Sequence, residues 1–302
     1  MADRVPEIDW IAVDWGTSHL RAWAMQGDTI VISAQSDKGM GGLAQDAFEP
    51  ALLELIGPWL GTDPVEVMAC GMVGSRQGWI EAPYRAVPCT PQGPDRATPD
   101  SRDARLNVAI MPGIKQMQPA DVMRGEETQI AGYLDANPDF DGVLCLPGTH
   151  SKWVHISAGE IVSFRTALTG ELFGLLADQS VLRHSVGSGW DEAAFLDALG
   201  ETLAKPASLA QRLFTIRASD LLHGTHPGTA RAVLSGLLIG AELAAAKPYW
   251  LGQSVAVIGS TAASGPYVSA LRAQGLPVDQ ADGDAMVLRG LHAARTIKEP
   301  AQ

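Results

Sequence analysis

A chain of 302 residues corresponds to about two domains at roughly 150 residues each. With 46% hydrophobic and 19% charged residues it has ample material for buried cores, which excludes a disordered chain. Lys and Arg number 22 against 34 Asp and Glu, and the resulting net charge of −12 argues against nucleic acid and anionic membrane surfaces, both of which require a basic face.

The N-terminus, Met1-Ala2-Asp3-Arg4-Val5-Pro6-Glu7, is polar and acidic; no basic stretch leads into an apolar one, so no signal peptide is expected. Residues 9–13 predict a buried strand ending in the turn Asp14-Trp15-Gly16-Thr17-Ser18. Residues 20–25 and 29–32 predict two more strands, joined by Gly27-Asp28. A helix is expected over 48–60, with Leu52, Leu53, Leu55 and Ile56 on its apolar face, and a buried strand over 65–70. This alternation marks an α/β domain. Residues 82–105, interrupted by Pro83, Pro88, Pro91, Pro94 and Pro99, read as a long loop of the kind that serves as a lid, a binding loop or an added hairpin. A strand over 107–110 and a helix over 126–134 follow, and Gly125 ahead of that helix would let the backbone approach a ligand closely. Later helices are expected at 171–182, 191–203, 209–214, 230–246, 263–273 and 284–295, with a strand at 255–258 ending in Gly259-Ser260. The most apolar stretch, 232–246, contains Glu242 and is shorter than the about 20 residues that span a bilayer, so it reads as a helix buried between layers. Cys70, Cys89 and Cys145 have no CxxC spacing and read as free thiols of a reducing compartment, which places the protein in the cytoplasm.

The chain also repeats itself. Residues 9–31, DWIAVDWGTSHLRAWAMQGDTIV, align without a gap on residues 141–163, DGVLCLPGTHSKWVHISAGEIVS. Gly16-Thr17 meets Gly148-Thr149, and Gly27-Asp28 meets Gly159-Glu160. Each copy is an apolar strand, a Gly-Thr turn, and then strand, turn, strand. The expected organisation is therefore a duplicated α/β domain, 1–138 and 139–302, with the last helix packing back on the first domain. Gly-Thr turns after strands present backbone N–H groups and a hydroxyl to phosphate oxygens. Only the first copy carries a carboxylate, Asp14, two residues before its glycine, and it suits a magnesium ion that takes one or two carboxylates with water and phosphate.

Other nucleotide signatures are missing. No GxxxxGK[ST] is present, and Gly39-Met40-Gly41-Gly42-Leu43-Ala44, which spells GxGxxA, follows a polar run instead of a strand end. His223 and His226 have no third metal ligand nearby in sequence, and no GxSxG elbow is found. Arg124-Gly125-Glu126-Glu127-Thr128-Gln129 opens a helix, where a carboxylate serves either the helix dipole or as general base toward an attacking hydroxyl. The run from Gly71 to Trp79 sets Ser75, Arg76 and Gln77 among three glycines, a loop suited to a polar ligand, with Arg76 able to grip a carboxylate.

The phosphate turns, with Val257-Ile258-Gly259-Ser260 as an adenosine motif, resemble the actin and hexokinase ATPase superfamily. The strings DWGTS, LRAW, GMVGSRQGW, RGEETQ, LPGTHSKWV, TGELF and ADGDAMVLRGL are similar to those of the 2-dehydro-3-deoxygalactonokinases, from residue 14 to 291. The resemblance implies two ribonuclease-H-like domains with an ATP cleft between them, and transfer of phosphate from ATP to the C6 hydroxyl of 2-dehydro-3-deoxy-D-galactonate. It implies that Asp14 organises Mg²⁺, that Gly16, Thr17 and Ser18 meet the transferred phosphate, and that Gly148, Thr149 and Lys152 hold the β and γ phosphates. Gly259 and Ser260 would line the adenosine pocket. Many sugar kinases of this superfamily place an Asp base here, where this chain has Glu126-Glu127; Glu126 is favoured as base, with Glu127 or a share by Asp14 as the alternatives. Arg76, Arg21 and Arg124 are the candidates for the substrate carboxylate, with Arg76 foremost. The expected partners are the sugar acid and ATP, and a homodimer is left open. A kinase for a related keto-deoxy acid, a phosphatase or ATPase of the same fold, and a nucleotide-dependent switch are the competing readings; the last two would turn over ATP regardless of added acid.

Overall fold

The structure, a computed structural model, describes residues 7–297. Met1 to Pro6, most of the stretch read for a leader, lie outside the described residues. Contacts divide the chain into two units: one holds the residues up to Phe140, Ala158–Val162 and those from Gly283 on; the other holds Asp141–Ser157 and Ser163–Asp282.

The first unit is built on β1 (Trp10–Trp15), β2 (Leu20–Gln26), β3 (Thr29–Ser36), β4 (Val65–Gly71) and β6 (Leu106–Ile110), ordered β3-β2-β1-β4-β6. Helix α1 (Phe48–Ile56) covers one face, where Ile11, Val13 and Trp15 of β1 join Phe48, Leu52 and Ile56 in one core. Trp10 and Ala12 point the other way, as the two-residue period of a strand requires, into a second core. A sheet buried on both faces explains why β1 reads as a continuous apolar run. The 82–105 stretch is not wholly irregular: β5 (Tyr84–Ala86) pairs with β7 (Gly113–Met117), and β8 (Ala120–Met123) completes a small three-stranded sheet. Helix α2 (Glu126–Ala136) follows.

In the second unit β9 (Gly142–Leu146), β10 (Ser151–Ser157), β11 (Glu160–Ala167), β12 (Val255–Ile258) and β13 (Val278–Ala281) are ordered β11-β10-β9-β12-β13. Position for position this is the order of the first sheet. In both, the central strand pairs antiparallel with the next strand and parallel with the fourth. The ribonuclease-H-like arrangement is therefore present twice, as in the actin-like ATPase fold. The expected helix at 171–182 divides into α3 (Thr169–Gly174), a π turn over Leu175–Gln179 and a 3₁₀ turn over Val181–His184. Helices α4 (Glu192–Ala204), α5 (Leu209–His223), α6 (Pro227–Ala245), α7 (Lys247–Trp250) and α8 (Thr261–Ala273) follow. The 19-residue α6 is a core helix: Ala232, Ile239 and Leu243 pack with Phe195 and Leu199 of α4 and with Val143 and Cys145 of β9. The last helix, α9 (Gly283–Thr296), belongs to the first unit, where Val287, Leu291 and Ala294 pack on Trp10 and Ala12.

Candidate active site

In the first unit, the Gly-Thr turn leaves β1 and closes with the Gly16 N–H donating to His19 O at 2.9 Å. Thr17 and Ser18 at its tip are exposed. The Gly39–Gly42 segment, which carries the GxGxxA spelling, clamps this turn from behind. Met40 N–H donates to Gly16 O at 3.0 Å and Gly41 N–H to Thr17 O at 2.9 Å. The segments are so close that a Cβ on Gly39 would stand 2.2 Å from the Ser18 carbonyl carbon.

The second unit repeats the device. Behind Gly148-Thr149, the Glu171 N–H donates to Thr149 O at 2.9 Å, and a Cβ on Gly170 would stand 2.2 Å from Gly148 O. Lys152 is buried, with its ammonium donating to His150 O at 3.1 Å, and His150 Nε2 lies 2.6 Å from Glu171 Oε2.

Asp14 stands on β1 directly opposite Arg21 of β2, a register that brings their side chains together. Arg21 binds Asp14 through Nη2 and Asp284, at the start of α9, through Nη1. Arg21 thus engages two carboxylates at once. Burial pushes the Asp14 carboxyl up; Arg21 opposes this, and the negative charges of Asp284 and Glu126 add to it. Glu126 is brought near by two glycines. Gly71 ends β4 at φ 91° and Gly125 precedes α2 at φ 107°; a Cβ on Gly125 would lie 3.2 Å from Gly71 Cα, and one on Gly71 3.2 Å from Asp14 Oδ1. Side chains at both positions would force the start of α2 away from Asp14.

The two glutamates of α2 differ. Glu127 is 1% exposed, and both its oxygens face the Gly125 N–H at 2.9 and 2.7 Å. Burial, reinforced by the Glu126 charge, raises its carboxyl to about 7. Glu126 is only partly buried, and its Oε2 accepts from the Arg124 N–H at 3.1 Å.

The remaining arginine candidates also separate. Arg124 is buried, its guanidinium 4.2 Å over the Tyr84 ring and donating to Ala82 O at 2.8 Å. Arg76 is 81% exposed on its loop, with a 3.6 Å approach to Glu81. Gln77 is exposed beside it, whereas Ser75 is buried and its hydroxyl has no hydrogen-bond partner.

Within the second unit lies a cavity of about 690 Å³, lined by Gly148, Thr169, Phe173, Trp190, Arg231 and Tyr267 among others. Gly148 puts the phosphate-type turn at its wall. The α8 residues Ala262, Ala263 and Pro266 form part of that wall, whereas Gly259 and Ser260 shape the turn that aims α8. Ser260 Oγ caps the helix by accepting the Ala263 N–H, and Gly259 N–H donates to Ala281 O at 3.1 Å. Ser264 Oγ, buried without a partner, sits 2.9 Å from where a Gly259 Cβ would be. Sequence reasoning missed Asp284, Ser264 and Tyr267; at a helix start, Asp284 signals only a dipole partner.

Among the described residues no group of three or more His, Cys, Asp or Glu side chains is arranged to hold a metal. His226 instead caps α6, its Nδ1 accepting the Gly228 N–H. Burial raises the Cys70 and Cys145 thiols well above their ordinary value, which disfavours the thiolate form at both.

The family model described as 2-keto-3-deoxy-galactonokinase matches residues 14–294. A Rhizobium meliloti (strain 1021) protein named probable 2-dehydro-3-deoxygalactonokinase is 39% identical over 297 residues, covering 94% of this chain and 96% of its own length. The Escherichia coli (strain K12) 2-dehydro-3-deoxygalactonokinase is 37% identical over 289 residues, with 94% and 96% covered. The crystal structure of a Sinorhizobium meliloti protein bearing that activity name superposes with a TM-score of 0.87 at 37% identity, covering 94% of this chain and 97% of that one.

Proposed function

The chain belongs to the 2-keto-3-deoxy-galactonokinase family, and from that premise we propose how its residues carry phosphate from ATP to 2-dehydro-3-deoxygalactonate. The observation that carries the reading is the gathering of Asp14, Glu126 and a backed Gly-Thr turn in one unit, inside a family match that begins at Asp14. The C6 hydroxyl oxygen attacks the γ-phosphorus, the bond to the β–γ bridging oxygen breaks, and ADP leaves. The hydroxyl proton goes to Glu126. Glu127 is too deeply buried for a substrate hydroxyl, and its oxygens already face the Gly125 N–H. Gly16, Thr17 and Ser18 meet the transferred phosphate; Gly148, Thr149 and Lys152 serve the β and γ phosphates; the second unit's cavity takes the adenosine, with Gly259 and Ser260 setting its wall.

A magnesium ion entering with the triphosphate fits Asp14, since such an ion needs only one or two carboxylates beside phosphate and water, and it would neutralise charge on the phosphates. The partly buried Asp14, with Asp284 and Glu126 nearby, is the acidic place for it. Arg76, exposed on its glycine-rich loop, pairs with the substrate carboxylate; Arg21 is held by Asp14 and Asp284, and Arg124 is buried with Nη2 on Ala82 O and Nη1 without a partner. Free buried cysteines and an ATP-dependent reaction support a cytoplasmic place.

The test compares two amides. Glu126→Gln is expected to lower kcat by about 10²- to 10⁴-fold, the usual worth of a general base, with both KM values little changed. Glu127→Gln is expected to keep most of the activity. The reverse pattern would exchange the two roles.

A further inference from the structure

Glu242 is a carboxylate in the middle of the apolar core helix α6, 6% exposed. A charge in such a place is costly unless strong donors surround it. Three neutral donors do so, each at 2.7 Å: Ser151 Oγ and Trp153 Nε1 on one oxygen, Tyr267 Oη on the other. No arginine or lysine pairs with Glu242 among the described residues, so its burial is not explained as half of an ion pair.

The positions of those donors give the reason. Ser151 and Trp153 open β10, directly after the Gly148-Thr149 turn. Tyr267 stands on α8 and lines the 690 Å³ cavity. One carboxylate therefore joins the strand that carries the phosphate-type turn to the helix that walls the cavity. Loss of either set of bonds would leave a buried charge short of donors.

We propose that Glu242 is a positioning residue for the nucleotide, fixing Tyr267 and the cavity wall relative to the Gly148-Thr149 turn so that base and phosphates are met in register. This rests on the assignment of the cavity to adenosine. Glu242 touches no substrate itself and acts through Tyr267 and Ser151.

The experiment measures ADP binding by calorimetry and both KM values for Glu242→Gln, Tyr267→Phe, the double variant and Gly265→Phe. Circular dichroism and Tm establish folding, and Tyr267→Phe keeps the test available should Glu242→Gln not fold. Gly265 lines the cavity with open space where its Cβ would be, so Gly265→Phe serves to obstruct the site from a position that makes none of the Glu242 hydrogen bonds. Tyr267→Phe and Glu242→Gln are expected to weaken ADP by about tenfold each, the worth of one charge-assisted hydrogen bond, while the sugar-acid KM stays within about twofold. The double variant should weaken ADP by less than the product of the two single losses, because Tyr267 and Glu242 share one of the three hydrogen bonds that the carboxylate receives. If Gly265→Phe weakens ADP but the folded Glu242 and Tyr267 variants do not, the cavity reading stands and the role of Glu242 is overturned. Equal losses for ADP and sugar acid would also overturn it, as a general loss of structure. If Gly265→Phe leaves ADP binding intact, the cavity assignment fails and the proposal fails with it.

Discussion

At the scale of residues, Glu127 carries a cost that pH exposes. Its carboxyl is raised to about 7 by burial and by Glu126, so the folded protein holds a proton there that the unfolded chain releases near its ordinary value of 4.5. Stability from this group is full below about 4.5 and is lost as pH rises through about 7. At about 1.36 kcal/mol per pKa unit, the loss amounts to roughly 3 kcal/mol. Glu127→Gln should flatten the denaturation midpoint between pH 4.5 and 7.5 and be the more stable form at the upper end; a variant profile parallel to that of the parent would contradict this. For Arg76→Ala, steady-state kinetics should show the sugar-acid KM rising by at least about tenfold, the worth of a hydrogen bond to a charged group, with the ATP KM steady. An unchanged sugar-acid KM would remove Arg76 from the site. The sequence reveals these side chains but not their commitments. Arg21 looks as available as Arg76 until Asp284, 263 residues away, is seen to hold it.

At the scale of elements, the two Gly-Thr turns depend on what stands behind them. Gly170→Ala would drive a methyl group into Gly148 O, and an overpacked contact of this kind costs about 1–3 kcal/mol. The expected result is a lower Tm together with a raised ATP KM. Gly174→Ala, four residues on in helical backbone at φ −60° with nothing within 4 Å, should instead stabilise by roughly 0.4–1 kcal/mol and leave the kinetics alone. Equal effects at the two glycines would refute the clamp. The GxGxxA spelling at Gly39 packs behind Gly16-Thr17, which nothing local in the sequence says. Elements with two buried faces, such as β1 and β9, are the easiest to read. β13 is missed because Asp279 and Gln280 are exposed on it. The helix at Leu209 runs to His223, well past residue 214, because Ile216 alone is fully buried and the apolar period is faint. The gapless repeat is itself off by one residue in register. Asp14 pairs across from Arg21, but Leu146 pairs across from Lys152, so the second turn is one residue shorter and Lys152, not Trp153, stands in the place of Arg21.

At the scale of the whole molecule, the duplicated sheet order and the family match agree with a reading made from two Gly-Thr turns. The net charge of −12 opposes two anionic substrates, so in the proposed reading local cations, Arg76 and Lys152, and magnesium brought with ATP offset it. With Glu126 as base, phosphate transfer is tied to the sugar acid whose hydroxyl it activates. The most direct measurement is a coupled ADP-release assay with Mg-ATP against a panel of aldonates and 2-keto-3-deoxy acids, including the gluconate-derived stereoisomer. Strong ADP release with 2-dehydro-3-deoxygalactonate and little without an acid is expected. ADP release that is the same whichever acid is added, or with none, would contradict it.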